Sequence, residues 1–281
     1  MQEIADGVYL ETSYSGVILG AITMDQGLLM VDAPIYPEDS RSWRSSLMNF
    51  SSVGNRMLVS MDAHHDRSLG LRNMECRLIG HNSLIEVYQS RPVSVRAQIL
   101  ETGAEWELLA GLSSFRWLAP EITFTESISL NWGEHPVVLE YHPGPAVGAT
   151  WALATGSGVA FIADAVVADM PPFLHDADID DWLETLSLLT SPAYKNYVLV
   201  SGRSGIITKK DVDNQMRFLE KVDSFLKRQL RRKTSLNEIE AMANKLMNGF
   251  PENDLYQKRL AYGLSQYFQR HYLAKNVNNN G

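Results

Sequence analysis

Acidic, imidazole and guanidinium side chains recur in this chain at one kind of place, just past the end of an apolar run. Residues 57–70 read MLVSMDAHHDRSLG, so a short apolar run leads directly into Asp62, His64, His65, Asp66 and Arg67. His142 follows the run Pro136–Tyr141, Asp164 follows Gly158–Ile162, and Arg203 follows Tyr197–Ser201. Loops leaving the ends of buried strands in an α/β sheet converge on one crevice, which is where such folds put their chemistry. Ser68 and Ser204 raise a nucleophilic alternative with His64 as base. That chemistry needs an oxyanion hole and a sharp strand-to-helix elbow, and no Gly-x-Ser-x-Gly is present. Cys76 is the single cysteine, which excludes an intrachain disulfide and a thiolate zinc cage. Beside the run Arg77–Ile79 it reads as a small core filler.

The elements that must position these groups are short and β-rich up to about residue 205. Strands are expected at Gly16–Ile22, Leu28–Val31, Met57–Ser60, Arg77–Ile79, Ser127–Asn131, Pro136–Tyr141, Thr150–Ala154, Gly158–Ile162 and Tyr197–Ser201. Their Val, Ile, Leu and Tyr content and turn-rich flanks fit strands of a layered core. Helices are expected at Pro37–Phe50, in pieces over Leu84–Leu112, and at Ile179–Thr190, where Asp178 is placed to cap and Trp182, Leu186 and Leu189 repeat at helical spacing. From Thr208 onward the pattern is helical only. Val212, Met216, Leu219, Val222 and Leu226 form one stripe, Ser235–Glu238 is a capping box, and Tyr256, Leu260, Leu264 and Phe268 form a further stripe. The organisation expected is a layered α/β domain over 1–207, a helical extension packed on it over 208–275, and a disordered tail at 276–281.

Composition bounds the partners. A net charge of −8 argues against a nucleic-acid surface. The densest basic run, Lys227 to Lys233, falls at a helix end, where cations meet the helix dipole favourably. No apolar run approaches the roughly 20 residues that cross a bilayer, and the opening residues show no leader pattern. The expectation is a cytoplasmic protein without membrane or nucleic-acid partners. The C-terminal helices have three possible uses: covering the crevice, pairing with a second subunit as a homodimer, or completing the core.

A strand followed by His-x-Asp in the 57–70 loop, and then by Gly, resembles the His-x-His-x-Asp-His signature of the metallo-β-lactamase superfamily of hydrolases, of the glyoxalase II and β-lactamase type. Four further segments resemble that family in the same order. Asp6–Tyr9 resembles the opening strand, and Gly27–Asp32 the segment ending in a buried Asp that orients the motif loop. His142–Ala146 resembles the Pro-Gly-His-Thr loop, Phe161–Asp164 the segment supplying the metal-bridging Asp, and Val200–Gly205 the closing Gly-His-Gly. The resemblance implies an αββα sandwich, here with a C-terminal helical appendage, and a two-metal site in which a shared hydroxide attacks an ester, thioester, lactam or phosphodiester.

Carried over by position, the resemblance places Asp62, His64 and Pro145 in the three His slots of the first metal. Asp66, Arg67 and Arg203 fall in the slots of the second, and Asp164 in the bridging slot. His64, Asp66 and Asp164 are the remnant of the catalytic set. Pro145 has no donor atom, and the arginines stay protonated and cannot coordinate a cation. Two guanidiniums carry the charge of one divalent ion, so Arg67 and Arg203 are expected to replace the second metal by forked hydrogen bonds to the carboxylates. The expected function is a metal-free, non-hydrolytic pocket or pseudoenzyme that binds a small anionic ligand. The alternative is a mononuclear hydrolase with one zinc or other divalent ion on Asp62, His64 and Asp164. His81 and His142 are expected at the pocket, while His142 also has a strand-end polar contact open to it. His65 is expected to face outward, and His175 to lie in the Pro-rich loop 170–176.

Overall fold

The run Gly27–Val31 shows how the layers arise. All five residues are buried, with Leu29 and Val31 in one apolar cluster and Leu28 and Met30 in another. Side chains alternate across a strand, so a strand apolar at every position must be covered on both faces. A computed structural model of the chain describes residues 1–50, 55–92, 102–112 and 115–273, and this strand, β4, lies in a sheet of seven. Its neighbours, in spatial order, are β1 (Gln2–Ala5), β2 (Val8–Glu11), β3 (Leu19–Met24), β4, β5 (Arg56–Val59), β6 (Arg77–His81) and β7 (Ile122–Phe124). Strands β1 to β4 pair antiparallel, and β4 to β7 pair parallel.

The second sheet has six strands, β8 (Ser127–Leu130), β9 (Val137–Tyr141), β10 (Thr150–Ala154), β11 (Val159–Phe161), β12 (Val198–Ser201) and β13 (Gly205–Ile207). Only β11 and β12 pair parallel. Leu29, Val31, Val59 and Ile79 of the first sheet meet Leu139, Ala152, Val159, Phe161 and Val200 of the second in one buried cluster. Helices α1 (Pro37–Leu47) and α3 (Ser83–Ser90) cover the outer face of the first sheet through Trp43, Leu47, Leu84 and Tyr88. Pro37 at the first helical position and Glu38 and Asp39 in the first turn start α1 where the sequence placed it.

The other outer layer comes from α4 (Ile179–Leu189), α5 (Lys209–Arg231), α6 (Leu236–Ala241) and α7 (Asp254–Phe268). The caps legible in the sequence form: Asp178 accepts from the backbone N–H of Asp180 and Asp181, and Ser235 and Glu238 cap α6 reciprocally. The stripes Leu219, Val222, Leu226 and Leu260, Leu264, Phe268 share one buried cluster with Trp151, Ala160 and Leu199 of the sheet. The result is the expected αββα sandwich with C-terminal helices.

Several bounds differ from expectation. The strand expected from Gly16 begins at Leu19, and β1, β7 and β13 had not been expected as strands. Part of the helical region expected over Leu84–Leu112, and the tail 276–281, lie outside the described residues. No helix among them is long and apolar enough to cross a membrane.

Ending the chain at Ile207 would strip α5 to α7 from the second sheet and expose Trp151, Ala160 and Leu199. Each large apolar side chain returned to water costs about 1.5–3 kcal/mol, and isolated helices of this length are marginal. The expected outcome is an insoluble or dye-binding 1–207 fragment without a cooperative melt. A soluble fragment melting cooperatively in calorimetry would show the helices to be dispensable.

Candidate functional site

The parallel strands deliver the chemistry to one edge. Asp32 follows β4, and Asp62 and His64 follow β5. Asp66 and Arg67 lie on the single turn α2 (His65–Ser68), Asp164 follows β11, and Arg203 sits in the turn between β12 and β13. Asp32 (φ 57°) and Ala163 (φ 49°) adopt the left-handed backbone region that non-glycine residues avoid. Both stand at the turn that aims a carboxylate, Asp32 its own and Ala163 that of Asp164.

Arg67 is fully buried among three carboxylates. Its guanidinium donates to Asp32 Oδ2 and to Asp164 Oδ1. Its Nε lies 2.8 Å from Asp62 Oδ2. That contact is an ion pair with the N–H turned off the oxygen, so neither atom gains a hydrogen bond from it. Arg203 donates from Nε to Asp164 Oδ2 at 2.6 Å and forks onto Asp66 at 2.6 and 3.2 Å. Both oxygens of Asp164 are therefore taken, one by each arginine. Gly202 leaves the space this requires, since a Cβ there would stand 2.9 Å from Arg67 Cζ.

The charges answer one another. Burial raises the Asp66 carboxyl, but Arg203 outweighs it and holds the group at about 2. Burial also opposes ionisation of Asp164, and Arg203 and Arg67 together keep it well below the usual carboxylate range. Asp32 is the exception, because burial lifts it to about 7 against the pull of Arg67. Burial disfavours the charged form of His64, yet Asp62, 3.1 Å from its Nδ1, and Asp164 raise it. Its Nε2 is buried without a partner.

Of the residues picked out in the sequence, Asp62, His64, Asp66, Arg67, Asp164 and Arg203 come together. His81 and His142 are held elsewhere. His81 bonds Ser83 Oγ and the Thr125 carbonyl and stacks on Tyr141, and His142 bonds Glu140 and stacks on Trp151. For His142 this is the strand-end polar contact. Pro145 is buried in the loop after β9. His65, expected to face outward, instead stacks on Trp106 at 4.7 Å, and burial pushes its ring down to about 3. His175 stands 5.8 Å from the His64 ring and pairs with Asp176. Cys76 is half-buried, and burial lifts its thiol to about 11, as suits a core filler.

Two residues of the site were missed. Phe173 lies beneath both guanidiniums of Arg203 (4.6 Å) and Arg259 (4.2 Å), and 5.0 Å from His64. Arg259, on α7, is buried and bonds Glu105 and the carbonyls of Gly103 and Pro171. A signal for it existed: Arg259 falls between Tyr256 and Leu260 on the apolar stripe, where a charge is out of place.

Neither a protein-family model nor a curated protein matches the chain in sequence. Solved structures do match in shape. A stereoselective inverting sec-alkylsulfatase from Pseudomonas sp. superposes with a TM-score of 0.72 at 14% identity, over 99% of this chain and 51% of that one. The chain thus spans about half the length of that enzyme. A metallo-β-lactamase family protein from Thermus thermophilus gives 0.63 at 16% identity, over 98% and 95% of the two chains. The DIM-1 metallo-β-lactamase gives 0.59 at 16%, over 78% and 96%.

The chain has the metallo-β-lactamase fold.

The resemblance read in the sequence assigns a metal pair to the positions of this Asp–Arg cluster, and the residues present do not fit one. Both Asp164 oxygens already accept from guanidiniums, and Arg203 occupies both oxygens of Asp66. For a single ion, donor atoms of Asp62, His64 and Asp164 do lie within 4.8 Å of one another. Arg67 competes for the oxygens of two of the three.

Removing one partner of a buried charge pair costs about 3–5 kcal/mol, against about 0–1 for an exposed pair. Arg203→Gln and Arg67→Gln are each expected to fall in the larger range in chemical denaturation at neutral pH. The double variant should be less than additive, because Asp164 serves both arginines. Asp66 and Asp164 have lowered pKa values, so the stability they contribute is present above the unfolded value of about 3.9 and lost as pH falls toward 2. Without Arg203, burial raises both carboxyls, and the loss should begin at a higher pH. Losses under about 1 kcal/mol in both single variants would mean that the pairs behave as exposed ones.

Proposed function

We propose that this chain is a non-hydrolytic descendant of its fold, in which Arg67 and Arg203 stand in place of the second metal. The observation that carries the reading is the double engagement of Asp164. The residue in the bridging slot spends both oxygens on guanidiniums tethered to the chain. A guanidinium stays protonated at any physiological pH and neither activates water nor accepts a proton. The His64 ring keeps one unpartnered nitrogen, and among the described residues its ring contacts include no hydroxyl or thiol to act on. An anionic ligand finds little at the cluster itself, because Arg67 and Arg203 direct their donors to the chain's own carboxylates.

A second reading rests on a separate observation, the closeness of the Asp62, His64 and Asp164 donor atoms together with the free Nε2 of His64. If a divalent ion displaced the guanidinium contacts of Asp62 and Asp164, these three residues would hold it. The chemistry available there would be a water made acidic enough near neutral pH to act as nucleophile.

Protein purified without chelator or added metal is expected to carry well under one equivalent of zinc, iron or manganese by elemental analysis. β-Lactam, thioester, phosphodiester and secondary alkyl sulfate reporters should turn over no faster than background, with or without added zinc. Two tightly held metals per chain would overturn the proposal. A metal-dependent rate abolished by His64→Ala would establish the mononuclear hydrolase instead.

A further inference from the structure

At the opposite end of the first sheet from the Asp–Arg cluster, the starts of β4, β5 and β6 and the last turn of α1 enclose a cavity of about 590 Å³. Pockets that hold small organic ligands run from about 300 to 1,000 Å³. Three arginines line it, Arg44, Arg56 and Arg77, against a single acidic residue, Glu75. That runs against the composition of a chain with 33 acidic and 25 basic residues. Glu75 is spent on Arg44. Among the described residues no carboxylate pairs with Arg56 or Arg77, and the Nε of Arg56 is buried from water without a hydrogen-bond partner. A buried donor left unmatched is costly, and like charges gathered in one wall repel, so an anion in the cavity would relieve both. The rest of the wall holds Asn55 and apolar side chains, of which Met57 and Trp132 are part-exposed while Leu28, Leu47 and Met74 are buried behind it.

We propose that this cavity binds a small amphiphilic acid, its carboxylate or phosphate head held by Arg56 and Arg77 and its hydrocarbon body lying against the part-exposed Met57 and Trp132. Guanidiniums suit either head, because their planar fork matches both oxyanions. The site is independent of the Asp–Arg cluster. The strands β4 and β5 that carry Asp32 and Asp62 at one end carry Leu28 and Arg56 at the other, so the two ends can be altered separately.

Cys76 lines the cavity and is the only cysteine of the chain, which makes it a reporter. Wild-type protein is titrated by calorimetry with decanoate, decyl phosphate, decanol and inorganic phosphate. In parallel, the rate of Cys76 alkylation by a maleimide is followed by mass spectrometry. Decanoate or decyl phosphate is expected to bind and to slow alkylation, and whichever binds more tightly identifies the head group. Decanol and inorganic phosphate should each bind at least about tenfold more weakly, a loss of about 1.4 kcal/mol. Arg77→Gln, at the rim, and Arg56→Lys, which keeps the charge but loses the fork, should weaken the amphiphile by a similar factor without changing the melting temperature of the free protein. Arg203→Gln should leave the affinity unchanged wherever that variant is folded. Equal affinity for decanol, unaltered binding in both arginine variants, or absence of binding and protection by either acid would each overturn the proposal.

Discussion

The edge of this sandwich is organised around the carboxylate of Asp164. Asp164 belongs to the second sheet, and it receives Arg67 from the loop of the first sheet and Arg203 from its own. Arg203 in turn crosses back to Asp66. Two arginine–aspartate pairs thus run between the sheets, and the cluster fastens together layers that also meet through a shared apolar core and through backbone bonds such as Thr150 N–H to the Met61 carbonyl. Burying such charges is costly in itself, and pairing does little better than offset that cost. What the pairing fixes is arrangement. With four carboxylates around two guanidiniums, any one cation removed leaves a buried anion unmatched, and the pushed-up carboxyl of Asp32 already marks how near the balance stands.

The C-terminal helices follow from the same constraint. Arg203 packs its guanidinium over Phe173, and Arg259 of α7 packs over the same ring. Cation–π contacts of this kind contribute roughly 0.5–2 kcal/mol, more when water is excluded. Arg259 is drawn in further by Glu105 and by two backbone carbonyls. The helical layer therefore does two things at once. Its leucines complete the core of the second sheet, and its one buried charge reaches the floor of the site through Phe173.

How much of this could be read from the sequence depended on the kind of signal each residue carried. Thr150–Ala154 and the capped helices α4 and α6 were legible, because apolar runs and caps are local properties. The strands β1 and β13 were not. Gln2–Ala5 is an edge strand without a buried face, and Gly205–Ile207 is only three residues long, so neither carries a pattern. That Asp62, His64, Asp66, Arg67, Asp164 and Arg203 gather at one edge was legible from residue type and strand-end position. The directions of His65 and His81 were not, because each is set by an aromatic partner distant along the chain: Trp106 and Tyr141. Phe173 escaped notice because nothing in a loop sequence reveals which guanidinium will lie over a ring.

Arginine plays opposite parts at the two ends of the first sheet, and the difference lies in the supply of carboxylates. At the ends of β4 and β5 the chain provides Asp32, Asp62 and Asp66, and with Asp164 these consume Arg67 and Arg203. The guanidinium there serves as a fixed counter-ion to the chain's own carboxylates. At the starts of β5 and β6 no described carboxylate answers Arg56 or Arg77, and Asn55 and apolar side chains complete the wall. A guanidinium without an internal anion remains available to an external one. Residue type alone would have assigned anion binding to the loop of Arg67 and Arg203. The arrangement of carboxylates is the ground on which we place anion binding at the other end of the strands.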